Sequence, residues 1–247
     1  MLLLLSDVHC RYGVIDLQLR HAAEQLGALV TAAVVLGDLG LFEPFLRTHF
    51  RNPENRFAVP CSFIEGNHED FDRFEHLAAR YREFLTHLPR GSVQVLAGHR
   101  VLCLGGAQYM DAQTTPPGAA VRERDIELCL QHPPESVDLV ISHDCPENIG
   151  VTSQPGFEHY GPPGIRGTER VIRHLRPRLW VFGHHHRWFD IRLDGTRFLG
   201  LPQSWNGYAL IAEDGQLTTV ANTVSAGLPA RPHFSLLRRR PGTSRRG

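Results

Sequence analysis

Leu2-Leu3-Leu4-Leu5-Ser6-Asp7-Val8-His9 runs from an unbroken apolar segment straight into two metal-binding side chains, and four later stretches repeat that order. The run 33–36 leads into Gly37-Asp38, the run 61–64 into Gly66-Asn67-His68-Glu69, the run 139–141 into Ser142-His143, and the run 179–182 into Gly183-His184-His185-His186. Short β-rich apolar runs read as buried strands. Loops beyond the carboxyl ends of strands are where α/β proteins gather ligands from distant parts of the chain. The five blocks are therefore expected to converge on one site.

Between the blocks the period changes. Ile15, Leu19, Ala22, Leu26 and Leu29 recur at helical spacing, which predicts a helix linking the first two strands. Phe71, Phe74, Leu77, Ala78, Tyr81, Leu85 and Leu88 predict a second helix after the third block, with Glu69, Asp70 and Asp72 near its start. Further helices are expected over 122–130 and 168–175, the latter stopped by Pro177. Hairpins follow from 93–96 with 101–104, from 191–193 with 197–199 around Asp194-Gly195, and from 208–212 with 217–220 around Asp214-Gly215. The mixture predicts an α/β protein of two packed sheets with helices outside, a four-layer sandwich whose ligand loops meet at one edge.

The 247 residues can bury a full core, and residues 1–225 read as one domain. Residues 226–247, with Arg238-Arg239-Arg240 and Arg245-Arg246 among Pro, Gly, Ser and Thr, lack apolar periodicity and read as a disordered tail. Acidic and basic residues balance at 26 each, so bulk charge predicts no polyanion partner. Every basic residue is Arg. Cys10, Cys61, Cys103, Cys129 and Cys145 form no paired motif, and no signal peptide or membrane span is read, so a cytoplasmic setting is expected.

Phosphoester hydrolysis at neutral pH needs an activated nucleophile, a shield for phosphoryl charge and help for the departing alkoxide. Two neighbouring cations supply all three. A shared carboxylate is their natural bridge, and Asp38 is the candidate. Asp7, His9 and one histidine of the 183–186 block are left for one metal, with Asn67, His143 and the other histidine for its neighbour. His184 and His186, two positions apart, form that pair, while His185 points elsewhere. Imidazole, carboxylate and one amide suit Mn²⁺, Fe, Co²⁺, Ni²⁺ or Zn²⁺ in an open site. His68 is placed to protonate the leaving oxygen or stabilise the transition state, its ring oriented by a carboxylate such as Asp38. Asp144 is a candidate to orient His143.

Asp7-x-His9, Gly37-Asp38, Gly66-Asn67-His68-Glu69, His143 and Gly183-His184-x-His186, in this order, resemble the calcineurin-like metallophosphoesterases. The resemblance spans residues 6–201. It implies an αββα sandwich of two mixed sheets and a dinuclear site, with Mn²⁺ the first candidate and a metal-bridging hydroxide attacking phosphorus in line. Gly37-Asp38-Leu39-Gly40-Leu41-Phe42 departs from the longer acidic and Arg-containing signature of the serine/threonine protein phosphatases. Residues 63–69, 142–146 and 174–184 are also similar to segments of RNA lariat debranching enzymes, which commonly carry Cys in place of Asp7 and Trp in place of Cys145.

The segment 144–167 is long and glycine-rich for a connector, and it reads as a substrate-recognition loop. Phe157, His159 and Tyr160 offer stacking surfaces for a base, and Arg166 and Arg11 offer cations for phosphate. The expected function is a divalent-metal phosphodiesterase acting on single-stranded nucleic acid or nucleotides, with no membrane partner. The alternatives are a broad phosphomonoesterase or nucleotide pyrophosphohydrolase, and a non-catalytic interaction protein on the same fold. Retention of His68 and of every ligand argues against the last.

Overall fold

The computed structural model of the chain describes residues 1–108, 116–153, 155–156 and 158–224. Phe157 and the 226–247 tail lie outside the described residues, and Tyr160 is described only in its backbone. The first sheet holds β1 (Leu2–Leu5), β2 (Ala32–Leu36), β3 (Cys61–Ile64), β4 (Thr86–His87), β11 (Gly207–Ile211) and β12 (Leu217–Ala221), in the order β12-β11-β1-β2-β3-β4. The second holds β5 (Val93–Leu96), β6 (His99–Leu104), β7 (Leu139–Ser142), β8 (Leu179–Phe182), β9 (Phe189–Leu193) and β10 (Thr196–Gly200), in the order β5-β6-β7-β8-β10-β9. Both are mixed: β1 through β4 pair in parallel, as do β6, β7, β8 and β10, with antiparallel strands at the flanks.

The apolar runs lack alternation because both of their faces are covered. Leu2 and Leu4 of β1, with Val34, Leu36 and Ile64, meet Val101, Ile141, Val181 and Leu199 of the opposite sheet in the central layer. Leu3 and Leu5 point the other way, onto Ile15 and Leu19 of α1 (Gly13–Leu26) and Leu77 of α3 (Phe74–Arg80). On the far face, Leu102, Val140, Trp180 and Phe182 pack against Ile126 of α4 (Glu123–Leu130) and Val171 of α5 (Thr168–Leu175). Helices therefore lie outside two face-packed sheets, the expected four layers.

Two elements differ from expectation. The helix after the third block ends at Arg80, short of Leu85 and Leu88. Those residues keep helical spacing, but the chain instead adds β4 to the edge of β3, and the Leu88 amide donates to the Phe63 carbonyl (2.8 Å). An additional helix, α2 (Glu43–Phe50), follows the second block. Pro44 at its start and the i, i+4 pair Leu46 and Phe50 were its signals. At the β9–β10 turn, Asp194 and Gly195 both have positive φ (48° and 85°), as a two-residue hairpin requires. No helix among the described residues is long and apolar enough to cross a membrane.

A buried charge network fixes the exit of β3. Glu65 accepts from His87 (2.8 Å) and from Arg90, whose guanidinium also donates to the carbonyls of Gly118 (3.0 Å) and Ala120 (2.9 Å) and pairs with Asp125 (3.4 Å). Burial acts to raise the Glu65 carboxyl, but the hydrogen bond from His87 and the charge of Arg90 outweigh it and hold the group below its ordinary 4.5. Arg90→Ala is expected to cost about 3–5 kcal/mol in urea unfolding, because it strands a buried carboxylate. Glu65 contributes fully above its unfolded pKa, and that contribution is lost as pH falls through its lower folded value. The gap between wild type and variant should therefore be widest above about pH 4.5 and close on acidification.

Candidate metal centre

Because β1, β2 and β3 run parallel in one sheet and β7 and β8 in the other, the loops after all five reach one edge of the sandwich. There Asp38 lies between two clusters. On one side Asp7 Oδ1 is 3.0 Å from His186 Nε2, which is 3.4 Å from His9 Nε2; that nitrogen is 3.8 Å from both Asp7 Oδ1 and Asp38 Oδ2. On the other side His143 Nε2 is 3.1 Å from Asn67 Oδ1 and 3.4 Å from Asp38 Oδ1. The His184 ring lies 4.9 Å from that of His143, centre to centre, and its backbone amide donates to Asp7 Oδ2 (3.1 Å). His186 thus sides with Asp7 and His9, and His184 with His143, whose Nε2 meets Asn67.

Protonation can be read from the partners. His143 Nδ1 donates to the Leu36 carbonyl (2.8 Å), so in the neutral ring Nε2 presents a lone pair. That lone pair faces two more acceptor oxygens, on Asn67 and Asp38. A cation among the three satisfies all of them, so the donor set fits a divalent metal. Burial pushes the Asp7 carboxyl up, but the hydrogen bond and charge of His186, with the charges of His143 and His9, hold it well below the carboxylate range. Asp38 is likewise lowered: burial is outweighed by His143, His68 and His9. His9 is lowered, chiefly by burial, so carboxylates are ionised and this imidazole neutral at neutral pH. Those are the forms that ligate metals.

Packing holds the candidate ligands in place. A Cβ on Gly66 would overlap the Asp38 carboxylate, and one on Gly37, whose φ is +82°, would overlap the His143 ring. Each glycine makes room for a candidate ligand from a different block. Asp38 Oδ1 accepts the backbone amides of Asn67 and His68 (both 2.8 Å), tying the second block to the third. Buried Glu69 accepts the amides of Leu39 (3.0 Å) and Leu41 and tightens the same junction. Asp7, His9, Cys10, Asp38, His184 and His186 all adopt positive φ between 48° and 65°. Such backbone persists only where surroundings over-determine it, and Asp and His tolerate it best among these types.

Exposure rises towards one lip. The side chain of His143 is fully buried, that of His186 is 35% exposed and that of His68 is 42% exposed. His68 Nε2 lies 4.0 Å from Asp38 Oδ2, and its ring is 5.5 Å from that of His9. His185 turns inward: its Nε2 bonds Asp144 Oδ1 (3.1 Å), whose carboxylate also accepts the amides of Cys145 (2.8 Å) and Gln108 (3.0 Å). Asp144 thus braces His185, and the Leu36 carbonyl takes the orienting role towards His143 that sequence reasoning gave to Asp144. Asp144, Cys145 and His185 lie close enough to hold an ion, but burial pushes the thiol far up and the carboxylate is already hydrogen-bonded. They form a brace.

The loop 201–206 was missed. It follows β10, which is parallel to β8 and so delivers its exit to the same edge. Gln203 lies 3.3 Å from His186 Nδ1, and Ser204 Oγ donates to the Asp7 carbonyl (3.4 Å). Gln203→Ala is expected to weaken metal binding roughly 10- to 100-fold by freeing the His186 ring, as calorimetric titration would measure; unchanged affinity would leave Gln203 without that role. Of the substrate-binding candidates, Arg11 lies over Trp205, His159 is exposed in the single turn Glu158–Tyr160, and Arg166 is exposed before α5.

Comparison with known proteins gives the same outline. The family model of the calcineurin-like phosphoesterases matches residues 1–188. No curated protein matches the chain. Among solved structures, the TT1561 protein of Thermus thermophilus superposes with a TM-score of 0.57 at 15% identity, over 89% of this chain and 97% of that one. The phosphopantetheinyl hydrolase PptH from Mycobacterium tuberculosis gives 0.53 at 16% identity, over 83% and 90%. At these identities the likeness establishes the fold. Residues 189–224, beyond the family match, complete both sheets through β9 to β12.

Proposed function

Because this chain belongs to the calcineurin-like phosphoesterases and is a metal-dependent phosphoester hydrolase, we propose that it is a phosphodiesterase acting on nucleic acid or nucleotides through a dinuclear centre, with Mn²⁺ first among Mn²⁺, Fe, Zn²⁺, Co²⁺ and Ni²⁺. Asp7, His9, Asp38 and His186 would hold one cation, and Asp38, Asn67, His143 and His184 the other. The observation that carries this reading is the convergence of lone pairs from both clusters on Asp38, whose two oxygens face opposite sets of imidazoles. When bound, two cations activate a water and neutralise phosphoryl oxygens.

The chain's own side chains supply the rest. His68, at the open lip, offers a ring N–H to the leaving oxygen. Its side chain is 42% exposed, so a leaving group can reach it from solvent. The loop 144–167, with His159 and Arg166, is the candidate surface for a base. Arg187, next to His186, ties it to the centre by donating to the Thr152 carbonyl (2.6 Å). Residues 1–225 form one catalytic unit in this reading, followed by an Arg-rich tail, and five separately buried thiols support a cytoplasmic setting.

The test is Mn²⁺-dependent hydrolysis of bis-p-nitrophenyl phosphate beside p-nitrophenyl phosphate, with His68→Ala as control. Diester cleavage that falls in the variant is the expected result. Activity on the monoester alone would replace the reading with a phosphomonoesterase, and silence on both across several metals would favour a non-catalytic role.

A further inference from the structure

Trp205 stands beside the metal centre on a loop fixed at both ends. The Val224 amide donates to its carbonyl (2.9 Å), and buried Gln18 donates to the carbonyl of Ser204 (2.7 Å). The indole is tilted against the His9 ring, centres 6.3 Å apart, and the Arg11 guanidinium lies over it at 4.4 Å. Arg11 is two residues beyond His9, and its amide bonds the Val8 carbonyl (3.0 Å), so a tight turn holds it at the same edge. Both side chains are half-buried.

A guanidinium held over an indole ring by cation–π attraction is fixed in position, and its forked N–H groups are suited to phosphate oxygens. We infer that Arg11, held over Trp205, forms with it a phosphate clamp at the edge of the metal centre. Arg11 binds a non-bridging oxygen of the substrate's phosphate, and Trp205 is the positioning residue that presents the fork. This rests on the phosphoesterase reading above and adds the residue pair that selects for a phosphate oxyanion. Arg11 binds the phosphate already in the ground state, so its loss should raise KM together with the Kd for inorganic phosphate.

The experiment uses metal-loaded full-length protein, with inorganic phosphate as the calorimetric probe and bis-p-nitrophenyl phosphate as substrate. Arg11→Ala is expected to raise both the phosphate Kd and KM roughly ten- to a hundred-fold, the range for one charge-assisted hydrogen bond, with metal content nearly unchanged. Arg11→Lys should recover only part, since an ammonium lacks the planar fork. Trp205→Ala should give a smaller loss of the same kind, rescued by Trp205→Phe, and should add nothing in the Arg11→Ala background. Phosphate binding unchanged in Arg11→Ala overturns the clamp whatever the kinetics show. Additive losses in the double variant overturn the role of Trp205, and if Trp205→Ala does not fold, the Trp205→Phe and Arg11 series still decides. A wild-type protein that hydrolyses neither nitrophenyl ester, yet loses phosphate binding on Arg11→Ala, would sink the catalytic reading and leave the clamp standing.

Discussion

Replacing His68 with alanine is expected to leave metal content intact and to lower the chemical step by roughly two to four orders of magnitude, the usual range for a lost general acid. That is about 2.7–5.5 kcal/mol of barrier. The geometry makes the variant clean. His68 is tied to Asp38 through its backbone amide (2.8 Å), which alanine retains, while the imidazole itself is more exposed than those of His9, His143 and His186. The deficit should depend on the leaving group. A nitrophenolate departs readily without a proton, so the loss should be smallest there and largest for an ester releasing an unactivated alkoxide, such as a nucleoside. Single-turnover rates for both ester types would measure this. Equal losses would make His68 an electrostatic stabiliser instead of a proton donor, and full activity would remove it from the reaction.

Asp38→Asn is expected to empty both metal positions. The substitution keeps the shape and one carbonyl oxygen, which can still accept the amides of Asn67 and His68, so the loops that define the edge stay tied. What disappears is the negative charge that His9 meets at 3.8 Å and His143 at 3.4 Å. Substitution of a ligand's outer partner already costs about 10- to 100-fold in metal affinity, and loss of a shared ligand should exceed that at both positions. The metal-free variant should melt lower than the metal-free wild type, because His143, His68 and His9 outweigh burial and the nearby Asp7 in holding the Asp38 carboxyl below its ordinary value, so its charge stabilises the fold at neutral pH. Metal analysis after desalting, with melting curves with and without Mn²⁺, would check both halves. Normal occupancy of either position would remove Asp38 as the bridge.

Much of the architecture was legible because burial on both faces leaves a sequence signature. Runs such as 2–5 and 179–182 have no polar alternation, and each ends where a strand in the middle of a sheet ends. The helix over 74–80 shows the limit of periodicity. Leu85 and Leu88 continue its spacing, yet an unpaired edge of β3 captured the chain, because ladder hydrogen bonds are non-local and leave no local pattern.

By itself, then, the sequence determined which residue types stand at strand ends: the carboxylates, the amide and the imidazoles, with glycines beside them. It determined that a strand-ending ligand set of this kind suits divalent cations. Tertiary structure decided how the set divides. His184 and His186 are equivalent by spacing, and only the packing of the two sheets places His186 against Asp7 and His184 against His143. It also decided which residues support the candidate ligands. Gln203 and Trp205 follow a strand that looked like half of a hairpin, and its parallel pairing with β8 carries them to the same edge. The physical reason is that strand identity is written in local burial, whereas strand direction and neighbour are fixed by contacts between residues far apart in the chain.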